Sequence, residues 1–109
     1  MNRILLNGRI ATELTVKISE NGSVWLPFRL KHSEKGNDGK YHNMTVNCVA
    51  FGGCAQSLYN SFSKNDPIVI KGKLNHREYT TKDGKRGEKT EILVSTYESA
   101  TNGLGEVIA

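Results

Sequence analysis

Cysteine is scarce in this chain of 109 residues: Cys48 and Cys54 are the only two. Two are too few for a disulfide-stapled scaffold, their spacing is not C-x-x-C, and no Cys/His set completes a zinc site. Both therefore read as reduced thiols. Long apolar runs are missing too. None approaches the roughly 18 residues of a membrane span, and the start MNRILLNGR is too short and polar for a secretory signal. The expectation is a cytoplasmic protein with no membrane partner. Catalytic signatures are equally thin. His32, His42 and His76 lack ligand spacing such as H-x-x-x-H, no carboxylate pair accompanies them, and nothing resembles a nucleophile elbow or a glycine-rich phosphate loop. No enzyme, no metal and no cofactor are expected. Acidic residues (11) are fewer than basic ones (15), which gives a formal charge of +4 and suits an anionic partner.

The length supports one domain with a single modest core, and strand signals fill it. Arg3–Ile10 is a β-rich run whose Gly8 suggests a bulge or sharp bend. Leu14, Val16 and Ile18 alternate with polar residues before the turn at Glu20-Asn21-Gly22. Over Ser23–Lys31, Leu26, Phe28 and Leu30 fall on one face, and Trp25, Pro27, Arg29 and Lys31 on the other. Ser33–Lys40 reads as a polar loop and Tyr41–Phe51 as the third strand, with Met44, Val46, Cys48 and Ala50 facing one way. The helix candidate is Cys54–Ser63, with Leu58 and Phe62 stacked at i, i+4 and Ala55 and Tyr59 alongside. Asp66-Pro67 restarts the chain, and Val69, Lys71 and Lys73 share a face. The last strand is expected at about Lys89–Tyr97. The fold class is all-β: a five-stranded Greek-key barrel of the oligonucleotide-binding (OB) type, with one short helix between strands 3 and 4.

Lys71–Val94 (KGKLNHREYTTKDGKRGEKTEILV) carries the most chemistry. Asp83-Gly84 between two strand-like runs predicts a hairpin, because glycine supplies the positive φ of the turn. Tyr79 and Arg77 share a face, with Lys82, Lys85, Arg86 and Lys89 around the tip. Cations that neutralise phosphate beside a ring that stacks on bases point to single-stranded nucleic acid; a solubilising surface hairpin is the plain alternative. Trp25, Arg29 and Lys31 form a second cationic, aromatic face. With aromatics at 7% of the chain, stacking is limited and strong salt dependence is expected.

In order, NRILLNGRI, ENG, NCVAFGG, GKL, REYT, DGK and TEILV resemble the bacterial and phage single-stranded DNA-binding protein family, over about residues 2–97. The resemblance implies an OB barrel that assembles as a homotetramer, or as a dimer in an adaptor variant, and wraps single-stranded DNA without base specificity. It implies stacking roles for Tyr79 and Phe51, a looser one for Tyr41, and a phosphate contact for Arg77. The first strand would pair with its copy across a dimer axis. Trp25, Arg29, Lys31, Lys71, Lys73, Lys82, Lys85 and Arg86 complete the expected DNA-binding set. Thr45 departs from the tryptophan of many members, and Trp25 from a smaller aliphatic residue.

The organisation expected is a DNA-binding domain over 1–98 and a short tail over 99–109. That tail ends GLGEVIA, without the acidic, hydrophobic-tipped motif of replication hubs, so replication or recombination partners are not expected through it. The expectation is a phage, plasmid or mobile-element version of the family, or a specialised paralogue. Two further readings stay open: a primosome-type adaptor linking single-stranded DNA to a helicase, and an RNA-binding OB module.

Overall fold

The computed structural model describes residues 1–100; residues 101–109 of the expected tail lie outside them. Six strands and one helix follow in the order β1 (Ile4–Ile10), β2 (Lys17–Ile18), β3 (Val24–Lys35), β4 (Tyr41–Phe51), α1 (Gly52–Ser61), β5 (Pro67–Thr80) and β6 (Arg86–Ser99). The sheet runs β1-β5-β6-β4-β3-β2, and an added β1–β3 pairing joins its two sides. Five strands thus close into a barrel, the OB architecture expected from the sequence. The helix lies where expected, after the strand ending at Phe51; the two-residue β2 only adds one to the strand count.

The alternation of β3 and β4 determines what goes inside. Leu26, Phe28, Leu30, Cys48 and Ala50 meet Ile10, Ile68, Ile70, Ile92 and Val94 in one core. Each fully buried Leu or Ile contributes about 1.5–3 kcal/mol. Ala55, Leu58 and Phe62 close one end of the barrel, and Phe62 meets Tyr97 edge-to-face at 5.3 Å. Tyr59 does not join them: it is exposed, because one residue on from Leu58 turns it about 100° round the helix.

Several boundaries differ from the sequence reading. β3 runs to Lys35 because Ser33, Glu34 and Lys35 pair with Asn43, His42 and Tyr41, which leaves a short turn instead of a Ser33–Lys40 loop. The helix begins two residues early, at Gly52, whose φ of +58° starts it at no Cβ cost. β6 begins at Arg86, three residues before Lys89, since Thr80 pairs with Arg86. Gly8 makes no bulge. β1 pairs with β5 without a break, and a Cβ at Gly8 would stand 2.3 Å from the Lys31 carbonyl oxygen, so glycine lets β3 cross β1 closely. Beside that crossing, buried His32 places Nδ1 2.7 Å from the Asn7 carbonyl and Nε2 3.3 Å from Glu34. The bulge lies in β6 instead: Lys71 pairs with Thr96 but Gly72 with Val94, leaving Ser95 over. The extra residue switches the inward positions from Ile92 and Val94 to Tyr97.

Cys48 and Cys54 are free thiols. Burial first, then the nearby Glu91 charge, push Cys48 up to about 12 from 9.0. The unfolded chain therefore loses this proton first, and stability drains as pH rises from about 9 towards 12, by at most about 1.4 kcal/mol per pH unit. A Cys48→Ala variant should lose that part of the slope in denaturant titrations between pH 8 and 10. An unchanged slope would contradict the assignment.

Candidate nucleic-acid interface

The outer face of β3 and β4 is a ladder of cross-strand pairs. Trp25 stands opposite Phe51, Pro27 opposite Val49, Arg29 opposite Asn47, Lys31 opposite Thr45, and Lys35 opposite Tyr41. At ~3.4 Å per residue the ten steps from Tyr41 to Phe51 span up to about 34 Å. Phe51 and Tyr41 are 54% and 69% exposed, too open for core residues. Trp25 is half-buried, and Lys17, its partner on β2, holds its ammonium 5.1 Å from the ring centroid. One face of the indole is thus already covered by a cation.

The β5–β6 hairpin carries the second half of the site. Beyond Leu74 its strands pair only with each other among the described residues, down to a turn at Thr81–Lys85. Thr81 donates its hydroxyl to Asp83, Gly84 takes φ +83°, and the Lys85 amide completes the loop. The Thr81 hydroxyl and then the Lys85 N–H hold the Asp83 carboxyl below its usual range. The only carboxylate of the tip is thereby occupied by the turn, with Lys82 and Lys85 exposed on either side.

Register sorts the hairpin into two faces. Arg77, Tyr79, Gly87, Lys89 and Glu91 share one, while His76, Glu78, Arg86, Glu88 and Thr90 share the other. Arg86 thus lies on the face away from Tyr79 and donates to Glu78 at 2.5 Å. Arg77 donates Nε to Glu91 at 2.8 Å; the carboxylate is buried and the guanidinium half exposed. Both arginines that the hairpin contributes to the expected set are already matched by an acid, which sequence reading did not foresee.

Lys89 joins the two halves. It lines a cleft of about 350 Å³ with Lys17, Pro27, Arg29, Asn47 and Thr12, whose hydroxyl accepts the Arg29 N–H at 3.2 Å. Lys73 reaches the same surface through the row Lys73–Leu93–Val49–Pro27. Lys71 stands further round the barrel, between Leu5 of β1 and Thr96 of β6. The arrangement brings Trp25, Arg29, Lys31, Tyr41, Phe51, Lys73, Arg77 and Tyr79 to one continuous outer surface. It puts Lys82 and Lys85 at the tip and leaves Lys71 and Arg86 off it. Lys17, Gly87 and Glu91 were missed. Counting residues back from the Asp83-Gly84 turn would have paired Gly87 with Tyr79, whereas nothing local marks Lys17.

Comparison with known proteins points to one family. The model of the single-strand binding protein family matches residues 1–100. The single-stranded DNA-binding protein of Bacillus cereus is 29% identical over 110 residues, covering 97% of this chain and 65% of that protein. The Clostridium tetani protein of the same name is 33% identical over 85% of this chain and 66% of its own length. Single-stranded DNA-binding protein 1 of Streptococcus pyogenes is 25% identical over 90% and 77%. The chain spans a little under two thirds of the Bacillus relatives it matches, 65% and 64% of their lengths.

Proposed function

This chain belongs to the single-strand binding protein family, and from that premise we propose that it binds single-stranded DNA without sequence preference, coating and protecting it during replication, recombination or repair. The observation that carries the reading is the shared outer surface of the β3–β4 ladder and the hairpin. Rings that accept any base on their π-face alternate there with cations that release counterions from phosphate. Binding, not catalysis, is the activity.

The assembly proposed is a homotetramer built on β1. That strand pairs with β5 over Ile4–Arg9 but with β3 only at Arg9 and Ile10, so its first half offers a sheet edge to a second copy.

Titrating labelled dT, rU and duplex oligomers by fluorescence anisotropy across a salt series tests the reading. Tight dT binding that weakens with salt, with duplex poorer by about tenfold or more, supports it. Preference for rU would move the protein to the RNA-binding reading, and equal or absent binding to all three would overturn both.

The ion pairs of the hairpin make a finer expectation. Lys85→Ala should lower the slope of log K against log salt by about one unit. Arg86→Ala should lower it by clearly less, because Glu78 already compensates that charge. Equal slopes for the two variants would remove the distinction.

A further inference from the structure

Gly87 has no conformational need to be glycine. Among the described residues the glycines with positive φ are Gly22, Gly39, Gly52 and Gly84, and Gly87 is not one of them. It lies inside β6, where glycine weakens a strand and contributes no side chain to pack. Its surroundings supply the reason. A Cβ built on Gly87 would stand 2.4 Å from Cζ, 2.6 Å from Cε2 and 2.7 Å from the hydroxyl oxygen of Tyr79, its cross-strand partner. The phenol therefore lies across the bare backbone of Gly87. The Arg77 guanidinium, held by Glu91, stands 6.0 Å from the ring centroid. Tyr79 nevertheless stays 42% exposed.

We propose that Gly87 is the positioning residue of the single-strand site, its missing side chain leaving the floor on which the Tyr79 ring lies ready to receive a base. The proposal rests on the single-stranded DNA reading above. A ring already laid flat against the strand loses little further freedom when a base stacks on it, which is how preorganisation raises affinity. Any side chain at 87 occupies the floor. The obstructing atoms belong to the far end of Tyr79, so the ring would swing off while the hairpin keeps its ladder.

Gly87→Val tests this without a folding penalty, since valine suits a strand. Affinity for a dT oligomer is measured for wild type, Gly87→Val, Tyr79→Ala and the double variant. The expected result is that Gly87→Val weakens binding about 5- to 150-fold, the loss typical of one stacking contact. It should do so at unchanged thermal stability and salt slope, and the double variant should bind no worse than Tyr79→Ala alone. Wild-type affinity in Gly87→Val beside a weakened Tyr79→Ala would overturn the proposal and leave the single-stranded DNA reading intact. Additive losses would also overturn it, since Gly87 would then act apart from the ring.

A readout without DNA separates the two ideas. The Gly87 α-protons should resonate upfield from the ring current, and Tyr79→Leu should abolish that shift. Its absence in the wild type would overturn the seat whatever the chain binds. Failure of the wild type to bind dT would instead overturn the single-stranded DNA reading.

Discussion

Tyr79→Ala is expected to weaken dT binding by about 1–3 kcal/mol, with almost no change in the salt slope. The two halves of this expectation have separate causes. Removing the ring deletes a base–aromatic contact, which involves no counterion. Every cation stays in place, because the Arg77–Glu91 pair does not pass through the phenol. Tyr79 should also matter more than Tyr41. The latter is 69% exposed near the free end of the β3–β4 ribbon, so a base that stacks on it must also order it. Competition titrations at three salt concentrations measure both quantities. Wild-type affinity in a folded Tyr79→Ala protein would remove this residue from the site, and a reduced slope would mean that the substitution had also displaced the cations.

The barrel itself was legible because period-two alternation survives in β3, where one face is buried and the other is not; in β4 it is blurred, with Met44 exposed on the expected inward face and Val49 buried on the outer one. Leu26, Phe28 and Leu30 went inside and Trp25, Arg29 and Lys31 outside, as the pattern requires. What escaped sequence reading is mainly tertiary. Gly8 looks like any strand breaker until β3 is placed across it. The parity of β6 changes at Ser95, an extra residue visible only against the partner strand. The site divides in the same way. Tyr79 was a candidate from residue type and position, and Phe51 and Tyr41 from the family resemblance, but whether a cation is free depends on its neighbours. Arg77 and Arg86 read as two more phosphate ligands in sequence, and in space each has a carboxylate partner from the other strand of the hairpin. Local sequence gives the charge; register decides how much of it is already used.

Gly72→Val should have the largest effect on stability, because Gly72 lies where the hairpin departs from the barrel. On one side of it β5 pairs with both β1 and β6. The β1 pairing ends at Ile4 opposite Gly72, and the Asn2 side chain adds one more rung by bonding both backbone groups of Leu74 at 2.8 Å. At this junction β6 bulges, and the Leu93 carbonyl leans over Gly72. A Cβ there would stand 2.1 Å from that oxygen and 2.9 Å from its carbon. Unlike the clash at Gly87, this one is with backbone, and no rotamer relieves it. Overpacking of this kind costs about 1–3 kcal/mol or more. In a domain of this size that is a fall in Tm on the order of 5–20 °C. Gly53→Ala is the control: nothing lies within 4 Å of its added Cβ, and stability there should be unchanged or slightly raised. Thermal unfolding of the two variants decides the matter, and a Gly72→Val protein as stable as wild type would show that β6 can shift at no cost. Where the valine variant still folds, relief must come from moving β5 against β6. The hairpin then leaves the barrel at a changed angle, Lys89 moves relative to Arg29 and Asn47, and dT affinity should fall although no side chain of the site has been altered.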